Sequence, residues 1–371
     1  MSAHRSRSFV IDVLKLLAAE LIVLHHLSAY GPMAEAVRSV WPSLVEHLYL
    51  DARLAVQVFL VIGGFLAAQS ISGRRDQQHP VTLIQRRYLR LMPSFVLALC
   101  WVTSLVWLLH PFISGDWLVD APNLHSVLAH LSLLQSVLDV PALSVGVWYV
   151  AADFQLYALL VLMAFWFKSD RALSLGVAAL TVASMWGFNR FESLDNWAIY
   201  FFAAYGLGVL AAWAQRSSFD QLVLGAVLLL GEESLWAAPR VRLALALLIT
   251  LVIAYASLNA HRLAHIQLKR HANVLVDSAY AMFLTHFGVI VIFSAGWEYG
   301  QLSSPTAALW LSGLAWLSSL AVGVVFHLQA ENPFTRWVNQ PGRLDLLAWL
   351  QNTFGQANPS SAAWVSSGAK R

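Results

Sequence analysis

Lys15 and His26 lie eleven residues apart in one apolar stretch, Phe9 to Tyr30, long enough to cross a bilayer as a helix. Asp12, Glu20 and His25 share that stretch. An ionisable group inside a membrane is costly unless it is paired or faces a wet cavity, so this density of them points to function. Eleven residues are about three helical turns, which puts Lys15 and His26 on one face, roughly 16 Å apart along the axis. Asp12 precedes Lys15 by one turn, close enough to pair with it. A cation at one end of a span and an imidazole near the other look like two ends of a reaction path. The plainer alternative is a snorkelling Lys15, with His25 and His26 at the interface.

A second set of cations follows. In GRRDQQHPVTLIQRRYLRLMP (73–93), Arg87 and Arg90 fall at i and i+3 near the start of a helix, with Arg86 beside them. Neighbouring guanidiniums suit a phosphate-bearing ligand, because each presents a rigid fork of donors to phosphate oxygens. Plain topogenic charge is the competing explanation, since arginines are common in cytoplasmic loops.

The elements that must position these groups are set by composition. Hydrophobic residues make up 58% of the chain and charged ones only 12%, about half of what a soluble domain carries. The apolar residues come in blocks near the length of a membrane-spanning helix. Ten such blocks are expected to be spans: 9–30, 50–71, 89–110, 144–167, 172–188, 197–214, 220–236, 241–258, 277–295 and 306–328. The fold class expected is therefore an all-α, polytopic membrane bundle of about ten transmembrane helices. With both termini cytoplasmic, seventeen of the 23 Lys and Arg residues fall inside and five outside, with Lys15 left within a span. That asymmetry follows the positive-inside rule.

Other signals are weaker. Cys100 is the single cysteine, so no intramolecular disulfide can form. The start, MSAHRSRSFVID, is too polar for a cleaved signal peptide, so the first helix is expected to be retained. A pI near 9.1 comes from loop charge and suggests anionic lipid or an anionic ligand rather than nucleic acid. Residues 1–338 are expected to form one transmembrane domain, and residues 339–371 a cytoplasmic, largely disordered tail. No metal-ligand spacing stands out.

Six motifs in order then resemble one family. IDVLKLLAAELIVLHH (11–26) fits an Arg/Lys-x10-His pattern through Lys15 and His26. VFLVIGGF (58–65), RRYLRLMP (86–93), WYVAADFQLY (148–157), SAYAMFLTH (278–286) and ENPF (331–334) follow at matching places. Together they resemble the acyltransferase-3 family, integral membrane enzymes that move acyl groups from cytoplasmic acyl-coenzyme A to sugars and other extracytoplasmic acceptors. The chain departs from the family pattern at four points. Gly63 stands where a Ser is common, Gln57 replaces an acidic residue, Asp153 replaces Glu, and Lys15 is the less common choice over Arg.

The resemblance implies roles. The acceptor hydroxyl has a very high pKa and needs a general base near neutrality, and His26 is assigned that part. Arg87 and Arg90, with Arg86, would hold the donor's phosphates. Lys15 would lie along the path of the thioester, where a cation also favours a developing oxyanion. A variant in which His26 is itself acylated stays open. Asp153 either orients His26 or pairs with an arginine. Trp148, Tyr157 and Tyr280 either line a sugar site or form part of an interfacial belt. His25 and His286 are further candidates for the acceptor side, with a satisfied buried histidine as the alternative for His286. Glu20, on the opposite side from Lys15, is expected to pair with another helix.

Two functional classes follow. One is O-acyl transfer, most simply acetyl, from acyl-CoA to a cell-envelope glycan or lipid-linked sugar in a bacterial inner membrane, with no tightly bound cofactor. The other is a transporter or export component for a polysaccharide or its precursor, since intramembrane charges also mark substrate pathways. The absence of an internal repeat counts against a typical secondary transporter.

Overall fold

A computed structural model of the chain describes residues 8–74, 78–113, 115–263 and 270–338; the expected tail, 339–371, lies outside them. Helices occupy all ten apolar blocks: α1 (Phe9–Ala29), α2 (Ala55–Ile71), α3 (Pro80–Leu109), α4 (Val147–Trp166) and α5 (Asp170–Trp186) in the first half of the chain. They are followed by α6 (Phe202–Trp213), α7 (Ser218–Ala237), α8 (Val241–Leu258), α9 (Ala279–Tyr299) and α10 (Pro305–Phe326). No strand occurs among the described residues.

Seven helices among the described residues are long and apolar enough to cross a membrane. The three outside that set are informative. α1 and α7 carry charge within the helix, Asp12, Lys15 and Glu20 in one and Asp220, Glu232 and Glu233 in the other. α6 has only 12 residues, about 18 Å of helix, although the preceding turn Ala198–Phe201 prolongs it. Large apolar side chains such as Trp107, Trp166, Leu222, Trp236 and Trp310 are exposed. An outer surface of that kind fits lipid better than water.

The start of α3 differs from the expectation. Pro80 supplies a preset φ at N1, and the His79 side chain accepts a hydrogen bond from the Val81 amide, so the helix begins nine residues before the apolar block. Arg86, Arg87 and Arg90 therefore sit on the second and third turns of a long helix, not at its tip.

Close backbone approach holds the centre together. A Cβ on Gly64 of α2 would fall 1.9 Å from the Tyr205 carbonyl oxygen, and one on Gly208 of α6 would fall 1.9 Å from that of Val61. Only glycine permits two helices to touch in this way, as in membrane helix pairs generally. α9 is buried along nearly its whole length and packs against α1, α3 and α10. It is the central post of the bundle. α10 runs on through a π-helical turn, His327–Glu331, into Asn332–Val338.

Candidate active site

His26 lies in the last turn of α1 and is buried. Its Nδ1 is 2.7 Å from Nε2 of His286, which is fully buried in the middle of α9. The two rings are stacked, with centroids 4.9 Å apart and planes within 11°. The tautomers follow from the partners. His286 Nδ1 lies 2.8 Å from the Phe283 carbonyl and 3.2 Å from that of Met282. Carbonyls only accept, so His286 carries its proton on Nδ1 and presents a lone pair at Nε2. His26 must then donate from Nδ1, which leaves its own Nε2 as a free lone pair. A neutral imidazole held in this tautomer is a ready proton acceptor.

Gly146, the residue before α4, makes room for this pair. Its φ of +77° is a left-handed conformation, and a Cβ there would lie 3.0 Å from Phe283 Cζ and 3.6 Å from His26 Cε1. Both the turn and the clearance call for glycine.

His26 opens on a cavity of about 410 Å³. His25, Gln57, Trp148, Tyr149, Phe201 and Phe283 line it, together with the polar residues Arg53, Asp195, Asn196 and Arg242. Trp148 packs against Phe201 with ring centroids 5.2 Å apart, giving an aromatic wall next to the histidines. His25 Nδ1 is buried with no hydrogen-bond partner among the described residues. Of the sequence-derived candidates, His25, His26 and Trp148 meet here, with His286 joined behind His26.

Arg87, Asp153 and Tyr157 form a second group. Arg87 Nη2 donates to Asp153 Oδ2 at 2.5 Å, and the guanidinium lies over the Tyr157 ring, 5.3 Å from its centroid. Of the two partners left open for Asp153, the arginine is the one observed. The carboxylate also explains Gly63. A Cβ at that position would approach Asp153 Oδ1 to 2.8 Å, so the missing side chain leaves space for the acid. Arg87 Nε and the Tyr280 hydroxyl are buried and lack hydrogen-bond partners among the described residues. Arg86 and Arg90 are exposed, and Lys15 is half-buried outside the cavity lining. Glu20 accepts a hydrogen bond from Trp316 Nε1 of α10 at 2.5 Å, the interhelical pairing expected of it.

Sequence reasoning missed Arg53, Arg242, Tyr149 and Phe201 as site residues. A signal for the arginines was present. They are two of the five cations that the loop-charge reading expects on the outer side, and such exceptions to the charge rule merit a functional question.

The comparisons with known proteins agree with the motifs. The acyltransferase-3 family, described as an acyltransferase domain, matches residues 9–328. A Caenorhabditis elegans protein named "Regulator of hypoxia-inducible factor 1" is 28% identical over 171 residues, covering 42% of this chain and 34% of that protein. The chain thus spans about a third of the length of that curated relative. No solved structure gives a significant match. The family match covers nearly every helix, including both histidines and the Arg87–Asp153 pair, and so this chain belongs to the acyltransferase-3 family.

Proposed function

We propose that the protein transfers an acyl group, most simply acetyl, from acyl-CoA to a hydroxyl of a glycan or lipid-linked sugar, with His26 as general base. The observation that carries this reading is the His26–His286 pair, which leaves His26 Nε2 unprotonated on the wall of a 410 Å³ cavity. In the reaction, the acceptor hydroxyl attacks the thioester carbonyl while its proton passes to His26 Nε2. The tetrahedral oxyanion collapses, the carbon–sulfur bond breaks, and the departing thiolate takes that proton back. The products are an ester and free CoA, and His26 ends as it began.

The remaining roles are proposals built on placement. Arg86 and Arg90, exposed near the start of α3, are suited to donor phosphates. Arg87, paired with Asp153, braces the wall of the donor path. Lys15 supplies positive charge lower on the helix that carries His26. The cavity's aromatic wall, Trp148 and Phe201, offers faces for a sugar ring. The loop-charge asymmetry supports ten spans, with the arginine end cytoplasmic and the cavity end outside, as in a bacterial inner membrane.

The test is acyl transfer by purified protein in liposomes supplied with acetyl-CoA and a sugar acceptor. Wild type should release CoA and form an ester, and His26→Ala should reduce turnover by about 10²–10⁴-fold, the usual worth of a general base. Undiminished transfer by His26→Ala would remove His26 from the mechanism.

A further inference from the structure

The cavity beside His26 carries a charge pattern that catalysis of proton transfer does not require. Arg53 comes from the single turn Ala52–Leu54 just before α2, and Arg242 from the first turn of α8. Two elements far apart in sequence thus bring guanidiniums to one cavity. Arg53 donates from Nε to the Leu50 carbonyl at 3.3 Å, which leaves both of its terminal nitrogens available. Among the described residues neither arginine forms an ion pair. Asp195 shares the cavity but is not within salt-bridging distance of either. With the histidines neutral, the lining holds two positive charges against one negative. His25 lies on the same wall.

A neutral sugar would leave these guanidiniums without a counter-charge. An anionic group held near Trp148 and His26 would meet them with charge-assisted hydrogen bonds, which are stronger than neutral ones. We infer that the acceptor is an anionic one, a sugar that carries a carboxylate or a phosphate, and that Arg53 and Arg242 bind its charge while a hydroxyl faces His26. This inference rests on the proposed acyl transfer and narrows its acceptor class. The cation pair would also raise the local concentration of such an acceptor in a salt-dependent way.

Binding without turnover tests it. Isothermal titration of the purified full chain would use three probes: phenyl glucoside, phenyl glucuronide, and the phenyl ester of glucose 1-phosphate. At least one anionic probe should bind roughly tenfold more tightly than the glucoside, the worth of one charge-assisted contact. Arg53→Gln and Arg242→Gln should each reduce that preference, and a thermal unfolding profile in detergent that matches wild type shows that the variants are folded. Whichever anionic probe gains more distinguishes a sugar acid from a sugar phosphate. Equal affinity for all three probes, no binding of either anionic probe, or a preference that survives the double substitution would overturn the inference. The probes are bound and not acylated, so their affinities are read without the transfer assay. A His26→Ala protein that still transfers acyl groups therefore defeats the proposed base and leaves the anion preference to stand or fall separately.

Discussion

His26 Nδ1 and His286 Nε2 are 2.7 Å apart, joining the last turn of α1 to the middle of α9 across 260 residues of sequence. The contact fixes which nitrogen of His26 faces the cavity. In the proposed mechanism His286 is thus a positioning residue that acts through His26. His286→Ala should lower kcat by about 10–10²-fold with little change in the KM for acyl-CoA, a part of the usual worth of the base itself. His286→Gln offers an amide oxygen to the same proton and should recover some of that loss. A KM effect without a kcat effect would instead place His286 in substrate binding.

Gly146 provides a second test of the same geometry. Gly146→Ala forces a side chain onto a backbone at φ +77° and within 3.0 Å of the Phe283 ring. Strain of about 1–2 kcal/mol is expected, and Phe283 and His26 must shift. Activity should fall by more than the loss of folded protein explains, as seen by comparing turnover with thermal unfolding in detergent.

The Arg87–Asp153 pair should matter to stability in an asymmetric way. Asp153→Ala leaves a largely buried guanidinium without its carboxylate and should cost about 3 kcal/mol or more. Replacing both partners together, Arg87→Met with Asp153→Leu, removes the stranded charge and should be less harmful than Asp153→Ala alone. Thermal unfolding of Asp153→Ala, of the double variant and of its two single substitutions decides this, and an additive double variant would show that the pair is not coupled.

Glu20 and Trp316 form a pair remote from the cavity lining. Trp316→Phe keeps most of the packing but removes the donor, so a cost of about 1–2 kcal/mol is expected, with kcat preserved. A fall in kcat at full stability would give Glu20 a catalytic part that its position does not suggest.

His130, in the short helix Leu124–Leu131 outside the spans, gives a pH dependence of stability. The Leu143 amide donates to its Nε2 at 3.1 Å, and its Nδ1 lies 2.7 Å from the Ser126 carbonyl, so the folded protein holds it neutral. Burial pushes its pKa below the ordinary 6.5, against a smaller opposite effect of the Ser126 carbonyl. The unfolded chain therefore takes up a proton below about pH 6.5 while the folded chain does not. Its contribution is complete above that pH and is lost as pH falls towards the lowered folded value. Unfolding temperatures measured between pH 7 and pH 5 should decline less steeply in His130→Gln than in wild type.

Much of this architecture was legible in the sequence. Helices occupy every apolar block, because runs of such residues have no stable alternative in lipid. The membrane-crossing count was less legible: α1, α6 and α7 are too charged or too short to qualify by length and apolarity alone. The motif order identified the family, and the charges of α1 marked the helix that bears His26.

What the sequence by itself determined is which residues share a face, since the helical repeat is local and follows from backbone geometry. It put Lys15 in line with His26 and Arg87 near Arg90. Only the tertiary structure decided which helix each face meets. Rotation and neighbour choice depend on close contacts such as Gly64 against Tyr205, which no local period encodes. That packing gave His26 to His286, Asp153 to Arg87 and Glu20 to Trp316, and it brought Arg53 and Arg242 to one cavity.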